Sequence, residues 1–223
     1  LQRRSRQVRL PEPSPPCPLC SAPSAFFHRD QRRPYHQCSR CKLIHVPPTY
    51  RPTPQEEKSQ YDLHENHPND LGYRNPLARP TPLLAKLSTH SHGLDYGCGP
   101  GPTLSVMMEE AGHSMSLHDP IYHPNPEALK GTYHFITATE VFEHLHQPAQ
   151  DLDILHQALK PRGWLGIMTK RVRDKDAFSK WHYIQDPTHV CFWSETTFQW
   201  IADQWQATLS FPASDAVLIQ RSS

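Results

Sequence analysis

Four of the six cysteines fall in two pairs, Cys17-Pro18-Leu19-Cys20 and Cys38-Ser39-Arg40-Cys41, with 17 residues between them. A two-residue gap lets one tight turn aim both thiolates at a single ion, and two such turns complete a tetrahedron. Such a demand folds the intervening segment back on itself. A disulfide reading needs an oxidising compartment, and the first ten residues are basic with no apolar stretch behind them, so no export signal supports one. The pairs predict a structural Zn2+ held by Cys17, Cys20, Cys38 and Cys41, with no position left open to water. A proline-rich stretch of about 45 residues buries little core, so the ion would supply its folding free energy. His28, His36 and His45 lie close enough to replace one thiolate, although four cysteines make that unnecessary. Cys98 and Cys191 read as ordinary free thiols.

Charge and proline divide the chain the same way. Residues 1–60 carry eleven Lys/Arg against four Asp/Glu, and eleven of the 24 prolines; residues 61–223 carry twelve against eighteen. The expected organisation is therefore a basic tail, zinc module and extended linker over 1–58, the linker being 46–58, and a second domain over 59–223. No apolar run approaches the roughly 20 residues of a membrane span, so a cytoplasmic protein without a membrane partner is expected.

From about residue 81 strands and helices alternate, which implies an open α/β sheet with helices on both faces. Leu94-Asp95-Tyr96 leads into Gly97-Cys98-Gly99-Pro100-Gly101, followed by a helix over 102–110 that Gly112 stops. Further strands are expected at 114–118, 133–138 and 165–168, a helix carries Leu152 and Leu155, Ser194 caps another, and an antiparallel pair closes the chain. Three glycines in five residues after a strand let backbone approach a ligand closely. Asp95 supplies a fixed acceptor beside them, and Asp119 ends the next strand, where a ribose is gripped in such sheets.

Asp95 to Gly101 resembles the first motif of class I S-adenosylmethionine-dependent methyltransferases, and Leu159-Lys160-Pro161-Arg162-Gly163-Trp164-Leu165 is similar to their turn before the fifth strand, with Arg162 for a glycine. The resemblance covers about residues 90–220 and implies a Rossmann-like, mostly parallel sheet behind a small zinc-ribbon-like module. It also implies a donor held by Asp95, Gly97, Cys98, Gly99, Gly101, Asp119, Pro120, Thr139 and Glu140. Only 16 residues separate Asp119 from Ile136. The third strand and its helix are therefore expected to shrink to a loop with at most one helical turn. The cysteine module is also similar to that of small-molecule methyltransferases with an N-terminal zinc segment, some sugar C-methyltransferases among them.

Glu140, Glu143 and His144, if helical, share one face at i, i+3 and i+4. With His189 they form a candidate second divalent-metal site, and the two segments resemble the E-x-x-E-H motif and later histidine segment of metal-dependent small-RNA 2′-O-methyltransferases. Without metal, His189 or His144, with Glu143, is a candidate general base. Tyr61–His67 and Gly72–Asn75 suit a lid, Lys170–Lys175 suits an anionic acceptor, and Trp181-His182-Tyr183 suits the mouth. The first reading is methyl transfer to a hydroxyl (or carbon) of a small-molecule acceptor. A second is ribose methylation of RNA, and a third, from another class, is a catalytically silent scaffold.

Overall fold

The computed structural model of the protein describes residues 14–63, 74, 75, 77 and 81–223. Strands β1 (Ser24–Arg29) and β2 (Pro34–Cys38) form an antiparallel hairpin between the two cysteine pairs, and β3 (Ile44–His45) pairs with β2. The expected extended linker is corrected. Val46 is fully buried, Pro48–Tyr50 make a 3-10 turn, and α1 (Pro54–Tyr61) follows. Pro48 and Pro54 each open a helical turn, where a missing N–H is no loss. The Thr53 hydroxyl accepts from the Glu56 N–H while the Glu56 carboxylate accepts from the Thr53 N–H, a reciprocal cap that fixes the start of α1.

The main sheet is built from β4 (His92–Tyr96), β5 (Ser114–His118), β6 (Tyr133–Thr139), β7 (Leu159–Met168), β9 (Thr208–Ala213) and β10 (Ala216–Gln220), in the order β5-β4-β6-β7-β10-β9. The first four run parallel and β10 is antiparallel to both β7 and β9. Central strands buried on both faces read as near-continuous apolar runs, and Phe135, Ile136 and Ala138 of β6 are all fully buried. The helices α2 (Thr103–Glu110), α3 (Pro148–Ala158), α4 (Lys175–Ser179) and α5 (Glu195–Trp205) connect these strands. As the sequence indicates, Ser194 caps α5 by accepting from the Thr197 N–H, and Gly112 ends α2 with φ +88°. Among the described residues nothing pairs with the outer edge of β5: residues 119–132 hold an Asp119–His123 bridge and the 3-10 turn Ala128–Lys130. The third strand is thus reduced to a loop, as its length requires. Arg162 takes φ +62° in the turn where a glycine is expected. Residues 64–67 and 72–73 of the expected lid lie outside the described residues.

A short strand, β8 (Cys191–Phe192), lies between α4 and α5 in sequence and pairs with β3, giving a second sheet of order β1-β2-β3-β8. The cysteine module is thereby continued by residues of the larger domain. Its Tyr35 packs edge-on against Phe178 and Phe192, with ring centroids 5.1 and 5.6 Å apart, and the two units share one core.

The closest approach in the sheet is at Gly93. A methyl group there would meet the Phe135 ring at 2.3 Å, and that ring is fully buried against Leu83 and Met108. Gly93→Ala is expected to cost about 2 kcal/mol, the usual penalty of overpacking, read as a lower denaturant midpoint at unchanged slope; an unchanged midpoint contradicts this packing.

Candidate functional site

A crevice of about 740 Å³ opens at the carboxyl ends of β4, β5 and β6, where open parallel sheets bind ligands. At one end is the glycine bend. Gly97 (φ +73°) and Gly99 (φ +64°) both take left-handed backbone, and a methyl on Gly97 would strike Val141 at 2.5 Å. A methyl on Gly99 would meet nothing within 4 Å. Below the bend, the Asp95 carboxylate accepts from Ser105 and Thr137 hydroxyls, each at 2.9 Å, locking β4 to α2 and β6. Burial pushes its carboxyl up to about 6.

Asp119 is buried at the end of β5 and turns inward to the crevice. Its Oδ1 accepts from the N–H groups of Ile121 and Tyr122 at 2.8 and 2.9 Å, and its Oδ2 from Gly99 at 3.1 Å. Three of the roughly four lone-pair positions of a carboxylate are then filled, leaving one on Oδ2 for a ligand hydroxyl. Cys98, Gly101, Pro120, Thr139 and Glu140 line the same crevice, and the Thr139 hydroxyl is buried without a protein partner. A buried hydroxyl of this kind calls for a polar group from a ligand.

At the other end lie His144 and His189. Ligand atoms of Glu143, His144 and His189 all fall within 4.8 Å of one another. His144 Nδ1 is 3.1 Å from the Thr188 carbonyl and His189 Nδ1 is 2.8 Å from that of Tyr183. A carbonyl can only accept, so both rings carry a proton on Nδ1, and in a neutral ring Nε2 is then the lone-pair nitrogen. Glu143 is fully buried, with one carboxylate oxygen accepting from Thr169 at 2.8 Å and the other from the Tyr183 hydroxyl. Burial and the neighbouring His144 hold His189 below its ordinary value, hence neutral at pH 7.

The helix that would set Glu140, Glu143 and His144 on one face does not form. Glu140 is left-handed (φ +53°), donating its N–H to the Met168 carbonyl, and Phe142–His144 make a 3-10 turn. Phe142 is fully buried beside Trp193, whose indole N–H takes the Phe142 carbonyl that a longer helix would have used. Glu140 consequently lies outside the three-residue cluster. It is open to the crevice, yet enclosure by protein and the charge of Glu143 push its carboxyl up to about 9.

Six carboxylates line the crevice (Glu57, Asp95, Asp119, Glu140, Asp151, Asp186), and among the described residues no Lys or Arg does. Within Lys170–Lys175, Arg171 bonds the carbonyls of Ala213 and Ala216 and Lys175 lies over Phe27, while Lys170 lies over the Tyr183 ring and its charge acts on Glu140. Trp181 and Tyr183 pack against each other with ring centroids 4.8 Å apart and are not among the residues that line the crevice. Tyr61 does face it, with its ring 5.2 Å from His144, and α1 is tied down by Glu57, whose carboxylate is 2.7 Å from His146 Nε2. Glu57, His146 and Tyr122 carry no sequence signal of their own; only the fold brings them to the crevice.

The four thiols of Cys17, Cys20, Cys38 and Cys41 form a second cluster, with Sγ–Sγ distances of 3.5 Å (Cys17–Cys41) and 3.3 Å (Cys20–Cys38). Backbone N–H groups of Leu19, Arg40 and Cys41 point at the sulfurs, stabilising thiolate character. Four sulfurs, mostly buried and held by their own turns, fit a tetrahedral thiophilic ion.

A family model described as a methyltransferase domain matches residues 71–209, more than half of the chain. No curated protein matches the sequence. Among solved structures, the 1,6-didemethyltoxoflavin-N1-methyltransferase of Burkholderia thailandensis, determined with 1,6-didemethyltoxoflavin and S-adenosylhomocysteine, is 14% identical. The alignment covers 89% of this chain and 100% of that one, with a TM-score of 0.54, so the two share a fold. An O-methyltransferase family protein from the same organism is 13% identical over 75% of this chain and 63% of its own, with a TM-score of 0.48. A protein from Pyrococcus horikoshii OT3 is 16% identical over 74% and 99%, with a TM-score of 0.46. No helix among the described residues is long and apolar enough to cross a membrane.

Because Asp95 binds its proton more tightly in the folded chain than the ordinary 3.8, its contribution to stability is fully present below pH 4 and lost as pH rises through 6. Asp95→Asn keeps both hydroxyl partners and removes that titration. Relative to the variant, wild type is expected to lose about 2 to 3 kcal/mol between pH 4 and 7, a shift of two units at 1.36 kcal/mol each. Denaturant unfolding across this range gives the difference, and parallel curves contradict it.

Proposed function

The chain belongs to the methyltransferase-domain family and is an S-adenosylmethionine-dependent enzyme of class I, and we propose that it methylates a hydroxyl oxygen of a small-molecule acceptor held between the glycine bend and the His144–His189 pair. The observation that carries this reading is the pair of imidazoles with both Nδ1 atoms committed to carbonyls, which leaves two lone-pair nitrogens at the crevice. In this reading Gly97, Cys98, Gly99 and Gly101 pass beneath the donor and Asp119 Oδ2 accepts from its ribose. Pro120, Thr139 and Glu140 line its flanks, and Asp95 stiffens the bend from below.

The donor carries its own leaving group, so alignment supplies much of the rate. The acceptor oxygen attacks the methyl carbon as the carbon–sulfur bond breaks, and the bonding pair leaves on sulfur as a neutral thioether. The hydroxyl proton passes to Nε2 of His189, which is neutral at pH 7, and Glu143 is placed to stabilise the imidazolium that forms. The donor set also fits a divalent cation. Glu143, His144 and His189 would hold it with Glu140 alongside, and two crowded carboxylates, one pushed up to about 9, gain from a positive charge between them. A bound ion would lower the pKa of the acceptor hydroxyl. Zn2+ at Cys17, Cys20, Cys38 and Cys41 is assigned a structural role, as no ligand position is left open.

The acidic crevice supports a small-molecule acceptor over RNA. A polyanion would meet an acidic lining with no lysine or arginine among the described residues, whereas a sulfonium donor gains from it. Incubation with methyl-labelled donor, a deproteinised small-molecule extract and total RNA is expected to place label in the small-molecule fraction, with at least a 100-fold loss in His189→Asn, the scale of a lost general base. Label in RNA instead would favour the ribose reading. Metal analysis is expected to give one zinc per chain, lost in Cys38→Ser.

A further inference from the structure

The loop from Ile184 to His189 has no regular structure beyond its first two residues, which end the 3-10 turn His182–Gln185, yet it positions both imidazoles of the site. The groups that order it come from the cysteine module. Exposed Arg32 donates to the carbonyls of Gln185 at 2.5 Å and Ile184 at 3.1 Å, the Tyr35 hydroxyl lies 3.3 Å from the latter, and buried Arg33 makes the largest set of contacts. Arg33, at the turn between β1 and β2, is only 4% exposed. Its Nη1 donates to the Pro187 carbonyl at 2.6 Å, and its Nη2 to those of Asp186 at 2.7 Å, His189 at 2.9 Å and Ile184 at 3.3 Å. Its Nε donates to the Tyr35 hydroxyl at 3.0 Å, and that hydroxyl donates to Asp30 Oδ2 at 2.7 Å. Four carbonyls from six consecutive residues converge on one planar fork, a pattern that a point charge such as an ammonium does not reproduce.

The contacts continue to the site. The Thr188 carbonyl, inside this loop, receives His144 Nδ1, and the Tyr183 carbonyl, one residue before it, receives His189 Nδ1. The next peptide, Val190, donates to the Glu143 carbonyl and accepts from Val46 of the module, each at 2.8 to 2.9 Å. Asp30 in turn fixes Arg33 from below, its Oδ1 accepting from the N–H groups of Arg32 and Arg33 at 2.7 Å.

We propose that Arg33 of the cysteine module is a positioning residue for methyl transfer: its guanidinium holds the 184–189 loop so that His144 and His189 keep their protons on Nδ1 and present Nε2 to the crevice. This role rests on the reading of those imidazoles as the proton-accepting or metal-holding pair.

The test uses the full chain with its bound zinc, and three variants: Arg33→Lys, Arg33→Gln and His189→Asn. Zinc content and calorimetric binding of S-adenosylhomocysteine within twofold of wild type identify folded variants. In Arg33→Lys, ¹⁵N signals of His144 and His189 are expected to move from a fixed Nδ1–H tautomer to an exchange average, and the Val190 amide to exchange with deuterium at least tenfold faster. Arg33→Gln should do the same or more. A folded Arg33→Lys or Arg33→Gln with unchanged imidazole signals and unchanged Val190 exchange overturns the proposal. Should neither variant fold, the wild-type Arg33 Nη signals decide: separately resolved, slowly exchanging protons support the fork, and a single averaged guanidinium signal overturns it. Methyl transfer undiminished in His189→Asn would overturn the function assigned to the imidazole pair, and with it the catalytic meaning of Arg33, while unchanged imidazole signals in Arg33→Lys would remove Arg33 alone.

Discussion

The peptide unit of Val190 bonds in two directions: its N–H goes to the Glu143 carbonyl of the site, and its carbonyl receives the Val46 N–H of the cysteine module. With the β3–β8 pairing beside it, this stitch makes the cysteine module, residues 14–50, part of the wall behind the crevice. A proline-rich segment that buries little on its own gains the shared core of Tyr35, Phe178, Phe192 and Trp193. The loop bearing His189, which lacks regular hydrogen bonding, gains a rigid support. Each unit supplies what the other lacks, and cross-linking by a thiophilic ion at the cysteines would tighten both.

Electrostatics points the same way. The crevice lining holds six acidic side chains and, among the described residues, no lysine or arginine. Enclosing such groups costs free energy, and the raised Asp95 and Glu140 carboxyls record that cost, set first by burial and then by neighbouring carboxylates. A cationic donor, or a divalent ion at Glu143, His144 and His189, offsets it. The same field repels a phosphate backbone, so the basic balance of residues 1–60 is no argument for nucleic acid at the site.

Much of this was legible in the sequence because it is locally encoded. The parallel strands showed as apolar runs, the bend as Gly97, Gly99 and Gly101, the cap of α5 as Ser194, and the lost third strand as a shortage of residues between Asp119 and Ile136. The thiol cluster followed from spacing alone. Two departures have physical causes. Richness in proline suggests an extended linker over 46–58, although Thr53-Pro54-Gln55-Glu56 spells a reciprocal helix cap. The i, i+3, i+4 spacing of Glu140, Glu143 and His144 needs a helix to share one face, and Trp193 claims the Phe142 carbonyl from 51 residues away. Arg33 was out of reach of any local rule: its four acceptors lie more than 150 residues downstream.

One structure determination bears most directly on all of this: a crystal of the protein with S-adenosylhomocysteine bound. The account requires the nucleoside across residues 97–101, a ribose hydroxyl on Asp119 Oδ2, and the sulfur facing the space in front of His144 and His189. A thioether buried away from those imidazoles, or a nucleoside seated outside the crevice, would contradict it.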